Sequence, residues 1–192
     1  MRKISALVAG ALVPIVLMNL ARIDRTNPPE DATETIASRT CMPAPVTAIF
    51  RRACQNCHSE RTDWPWYSAV APFHWLMTAD VYAARQRLNL STWGRYNEAR
   101  RTDSLIAICE TVASDKMPLW YYKPAHYPSA WLSESDKKEV CDWTKAEVQR
   151  LARAQNVSSE EKETAKWGNS DAQSLLRQVV PAADRRYCDD VH

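Results

Sequence analysis

The sequence predicts an all-helical protein, and three observations carry that expectation. Glycine is scarce at 3 residues while proline reaches 11, so the chain lacks the glycine-rich turns that join many short strands. Alternating β-branched runs are few. Apolar residues recur instead at spacings of three and four, in segments bounded by proline-marked loops.

The bulk numbers narrow the class further. A chain of 192 residues holds one domain with a real core plus accessory segments. Lys and Arg number 25 against 23 acidic residues, a net charge of +2 with no basic stripe, which excludes nucleic acid as an expected partner.

The N-terminus sets the compartment. Arg2 and Lys3 precede a charge-free run from Ile4 to Leu20, closed by Arg22, Asp24 and Arg25. At about 1.5 Å per residue that run covers roughly 26 Å, enough to span a bilayer. The "NLA" at its end puts Asn19 where a cleavage site wants a small residue. Residues 1–21 are therefore expected to be an uncleaved membrane-anchor helix, with the cleaved signal peptide as the alternative. The domain then lies outside the cytoplasm, in the periplasm or at the cell exterior, anchored to the inner membrane. Six cysteines agree with an oxidising compartment. Residues 22–45, polar and rich in proline, are expected to be a linker.

The domain itself is expected over residues 46–154. A first helix is read from Val46 to Cys57 or His58, with Val46, Ile49, Phe50 and Ala53 at helical spacing. Pro72 suits the first turn of the next helix, whose inward face is read as Trp75, Leu76, Ala79 and Ala83. Ser91 is expected to cap a short piece near Trp93 to Arg100. Asp103 is expected to cap another helix, with Leu105, Ile106, Cys109 and Val112 inward. "KMPLWYYKPAHYPSAW" carries three prolines and reads as a loop. Ser133 with Asp136 resembles a capping box opening a last helix from about Glu134 to Ala154, with Val140, Trp143, Val148 and Leu151 inward. Residues 155–192 form a polar tail with a short amphipathic piece near Leu175 to Val180.

"RRACQNCHSERTDWPWYS", residues 51–68, carries the chemistry. Cys54, Cys57 and His58 make C-x-x-C-H, the attachment sequence of c-type haem. Two thiols one helical turn apart add across the haem vinyl groups, and the adjacent imidazole becomes the proximal iron ligand. With 6 Cys and 4 His in the chain, about 0.004 chance matches are expected. A thioredoxin-like dithiol would follow a strand, and a zinc site would need a second ligand pair; the sequence offers neither.

The order of a haem helix, intermediate helices, a loop holding Met117 and a closing helix resembles a class I cytochrome c. Met117 is the leading candidate for the sixth ligand, with His126, His74 or an open site as alternatives. "CQNCHSERTDWPWYSAVAPFHWLMTADVYAARQRLNLSTW" and "DKMPLWYYKPAHYPSAWLSESDKKEVCDW" resemble the bacterial haem-binding domain family of small c-type cytochrome-like proteins, over about Arg25 to Arg150. That resemblance implies one haem c held through Cys54 and Cys57, with His58 and Met117 on the iron and a cytochrome c-like helical fold. It leaves the tail and Cys188 outside. Trp64, Trp66, Tyr67 and Trp120 are expected as haem-pocket wall and core, with Arg85 and Arg87 as candidate propionate partners.

Cys109 and Cys141 fall on helices flanking the Met117 loop and are expected to form a disulfide; the alternative is two buried thiols acting as small hydrophobes. Cys41 and Cys188 are the residual pair. The functional expectation is an electron carrier, not an enzyme, exchanging single electrons with redox proteins in or at the membrane. The alternatives are a haem enzyme or gas sensor with an open distal site, or an accessory haem subunit of a respiratory complex. The anchor is testable: native protein should stay in the membrane fraction after a high-salt wash. Recovery of a soluble species beginning near Arg22 would show cleavage.

Overall fold

The structure, a computed structural model, describes residues 24–166 together with Gly10. The expected anchor segment and the tail beyond residue 166, including Cys188 and the Leu175–Val180 piece, lie outside the described residues. Among those described, every regular element is helical, as the scarcity of glycine and the helical spacings predict, and no helix is long and apolar enough to cross a membrane. The helices are α1 (Ile36–Arg39), α2 (Ala44–Ala53), α3 (Gln55–His58), α4 (Phe73–Arg87), α5 (Glu98–Ala113), α6 (Tyr122–Ala125) and α7 (Glu134–Lys166), with short 3₁₀ turns at Ala32–Glu34, Trp66–Ala69 and Leu90–Arg95. The chain divides into two compact units, one of residues up to Glu30 with Gln55–Leu90, the other of Asp31–Cys54 with Ser91 onward.

The second unit has the larger core. Helix α5 packs along α7, and α2 packs on α7 as well. Val46, Ile49 and Phe50 come inward from α2, Leu105, Ile108 and Val112 from α5, and Val140, Trp143 and Leu151 from α7. The Phe50 and Trp143 rings meet edge to face with centroids 5.4 Å apart, a preferred arrangement for aromatic pairs. The Trp143 indole N–H donates to the Cys41 carbonyl at 3.2 Å, so this buried indole leaves no unpaired donor. Arg52 donates to the Ser129 and Trp131 carbonyls and pairs with Asp136 at 2.7 Å. One guanidinium thus ties α2 to the chain entering α7. Glu147, fully buried, is paired by Arg150 one turn on.

The start of α7 is a reciprocal cap. Ser133 Oγ accepts from the Asp136 amide, and Asp136 accepts from the Ser133 amide and hydroxyl. Two helix-end donors are thereby satisfied by side chains. The helix continues past Ala154 to Lys166, because the polar stretch there is rich in Gln, Glu, Lys and Ala, which sustain a helix without burial.

Other expectations need correction. The segment read as a linker is folded: Ile36, Cys41 and Met42 are buried, with Asp31 and Thr35 capping the two short turns. Helix α5 begins at Glu98 under an Asn97 cap, and Asp103 lies inside it. Ile106 is 45% exposed and Ile108 takes the inward place, because Ile108 stands three residues after Leu105 and four before Val112 and so shares their face. In α4 the inward residues are His74 and Val81, while Leu76 is 48% exposed. The face was assigned to the apolar side chains, and the packed face is partly polar.

Cys109 and Cys141 are joined by a disulfide with Cα atoms 4.7 Å apart, cross-linking α5 to α7. Cys41 is also disulfide-bonded. The Cys109–Cys141 bridge closes a loop with a sequence separation of 32, for which restricting the unfolded chain is worth about 3–4 kcal/mol. Replacing both cysteines by alanine should lower the unfolding free energy by about that amount in urea titrations; an unchanged midpoint would show that the bridge contributes nothing.

Candidate functional site

The first unit is built around the C-x-x-C-H turn. The expected single helix through the motif is broken. Helix α2 ends at Ala53, and Cys54 leaves helical geometry at φ −120°, ψ −43° while its amide still bonds the Phe50 carbonyl at 3.0 Å. A separate turn, α3, then carries Cys57 and His58. Neither motif cysteine is in a disulfide.

His58 is oriented by backbone. Helix α4 ends at Arg87 because Leu88 turns extended (φ −146°, ψ 114°), and the last carbonyls of a helix have no partner within it. The Leu88 carbonyl is taken by His58 Nδ1 at 2.9 Å. A carbonyl only accepts, so Nδ1 carries the proton and Nε2 is the free base. This is the tautomer that a metal-ligating histidine with a backbone partner adopts. Burial, first, holds the imidazole below its ordinary pKa, against the opposing pull of the Leu88 and Ala84 carbonyls. The neutral form is therefore the one the fold favours.

The thiol chemistry points the same way. Burial chiefly drives the Cys57 thiol up to about 11, with the Asp80 carboxylate adding to the rise and the Arg85 guanidinium opposing it. Catalytic dithiols have lowered thiol pKa values; Cys57 has the reverse. Among the described residues no three His, Cys, Asp or Glu side chains gather as a metal site.

The loop after the motif is pinned by Arg85. Its Nε donates to the Ser59 carbonyl at 2.8 Å, and its terminal nitrogen donates to Asn27 Oδ1 and Thr62 Oγ1 at 2.9 and 3.0 Å. Asn27 in turn donates to the Thr62 carbonyl, and Thr62 to that of Asn56. Arg85, read as a propionate partner, is thus engaged by the protein itself, while Arg87 is exposed.

The remaining sequence candidates scatter. Trp66 is 81% and Trp120 78% exposed, so neither is core; Trp64 and Tyr67 are half-buried. Met117 belongs to the second unit, half-buried, its amide bonded to the Thr111 carbonyl at 3.1 Å. His126, also in that unit, stacks on Tyr122 at 3.6 Å, and its Nδ1 lies 3.0 Å from the Tyr122 carbonyl. In the first unit, Trp64 Nε1, Thr78 Oγ1 and both ring nitrogens of His74 are buried with no hydrogen-bond partner.

A covalently held haem fits these residues. Two cysteines outside any disulfide stand at the attachment spacing, the adjacent imidazole has its Nδ1 proton fixed by the Leu88 carbonyl, and the unit that holds His58 contains buried polar atoms that its own side chains leave unmatched. Sequence reasoning missed the Leu88 carbonyl, the Arg85 network and the burial of His74 and Thr78. A backbone acceptor carries no residue-type signal. The others follow from the phase of α4, and the run of polar residues at positions 74, 78 and 85 was the available clue.

Comparison with known proteins agrees. A family model described as a haem-binding domain matches residues 13–146. No curated protein and no solved structure matches the chain.

The Arg85 network yields a prediction. Replacing Arg85 by leucine leaves the Ser59 carbonyl and Thr62 hydroxyl without their charged donor and should cost about 2–3 kcal/mol of stability. Chemical denaturation of the haem-loaded protein measures it, and a loss under about 0.5 kcal/mol would remove Arg85 as the hub.

Proposed function

The chain belongs to the haem-binding domain family, and on that premise we propose that it is a monohaem c-type cytochrome, anchored to the membrane by its N-terminal segment, that carries single electrons outside the cytoplasm. The observation that carries this reading is His58, whose Nδ1–H is engaged by the Leu88 carbonyl directly after two cysteines that stand outside any disulfide at the attachment spacing. Cys54 and Cys57 would hold the haem through thioether bonds, and His58 would ligate its iron through Nε2.

Met117 is the second ligand in this reading. Its support is the sequence order of motif, intermediate helices, proline-marked methionine loop and closing helix, together with the family resemblance. A thioether suits haem iron, and His/Met ligation raises the reduction potential. When bound, the haem supplies the one-electron couple. If His58 and Met117 both ligate, the protein would leave no ligand position for a substrate, which favours electron transfer over catalysis or gas sensing. The partners are redox proteins in or at the same membrane.

Protein expressed with a working haem-attachment system should gain the mass of one haem that survives acid–acetone extraction. Its oxidised spectrum should carry the weak long-wavelength sulfur-to-iron band. Met117→Ala should keep the covalent haem, lose that band and lower the reduction potential. Extractable haem in the wild type would sink the c-type assignment, and an unchanged band in the variant would exclude Met117.

A further inference from the structure

The buried face of α4 is polar at both ends, and the two ends are treated differently. At the C-terminal end Arg85 is matched by protein acceptors, and the Leu88 carbonyl is taken by His58. Toward the N-terminal end, His74 is 4% exposed with neither ring nitrogen hydrogen-bonded, and Thr78 Oγ1 is sealed from solvent without a partner. His74 packs on Trp75 at 4.7 Å between ring centroids, a contact that satisfies no polar atom. Residues four apart share a helix face, so the two orphaned groups are neighbours one turn apart.

An unpaired buried polar group costs about 1–3 kcal/mol. Two such groups side by side mark a place for a polar guest. The chemistry selects the guest. A hydroxyl and an imidazole each bring a hydrogen to donate, and a carboxylate is an acceptor with roughly four lone-pair sites. Iron is the poorer match for His74. A ligating imidazole rests its other nitrogen on an acceptor, as His58 does, and His74 has none.

We propose that His74 and Thr78 form the binding site for a haem propionate, the imidazole N–H and the threonine hydroxyl donating to one carboxylate. The proposal rests on the haem reading above and assigns the haem's polar edge to the N-terminal half of α4. The helix then serves the cofactor twice: its last carbonyl orients the proximal histidine, and its buried polar pair holds the carboxylate.

The test uses the full chain matured with haem, comparing wild type with Thr78→Val and His74→Phe by mass, oxidised spectrum and the propionate bending bands in resonance Raman. The expected result is covalent haem and unchanged axial-ligand features in all three proteins, with a propionate band shifted in each variant. Thr78→Val is isosteric and decides the matter alone where His74→Phe does not fold. Identical propionate bands in the wild type and the folded variants would overturn the proposal. So would loss of an axial ligand in His74→Phe, which would make His74 an iron ligand. Wild-type protein without covalent haem would overturn the haem reading itself, and the proposal with it.

Discussion

The hydrogen bond from His58 Nδ1 to the Leu88 carbonyl is the contact on which the candidate site depends. It closes the C-terminus of α4 with a side-chain donor, where the helix has no amide left to offer. The same bond fixes which imidazole nitrogen is protonated and holds the motif turn against α4. The break at Cys54 is its counterpart. Helix α2 stops at Ala53, and Cys57 and His58 stand on a separate turn that packs on α4.

Arg85 explains why that turn stays in place. The residues after the motif, from Ser59 to Thr62, form no regular structure, and their backbone groups need partners. One guanidinium collects the Ser59 carbonyl, the Thr62 hydroxyl and the Asn27 amide oxygen. Its planar fork of donors suits several acceptors at once, which a lysine could not match. Four turns of one helix therefore contain both a saturated polar network and, at His74 and Thr78, an unsaturated one. The contrast is informative because the two environments share the same helix and the same unit.

The second unit is framed to hold a loop. Helices α5 and α7 are cross-linked through Cys109 and Cys141, Arg52 binds the chain just ahead of α7, and Lys137 on α7 pairs with Asp115 at the loop's start. Asp115 adopts φ 57°, a left-handed conformation that aspartate tolerates better than most residues. Met117 follows with its amide held by Thr111.

Much of this was legible in the sequence. The spacing of Cys54, Cys57 and His58 pointed to haem, and the family match agrees with haem binding. The helical class, the Ser133–Asp136 cap and the inward positions of Val46, Ile49, Phe50, Leu105, Val112, Val140 and Trp143 followed from local rules of periodicity and capping. Tertiary structure decided the rest. It broke the motif helix at Cys54, turned Ile106 outward, folded Ile36 and Met42 into the core and buried His74 in place of Leu76. Hydrophobic pattern fixes a helix's inward face only when the neighbouring surface is apolar. On α4 the inward face carries Arg85, whose acceptors lie on distant stretches of chain, and His74 and Thr78, which no protein group pairs, so the pattern of apolar residues did not mark it.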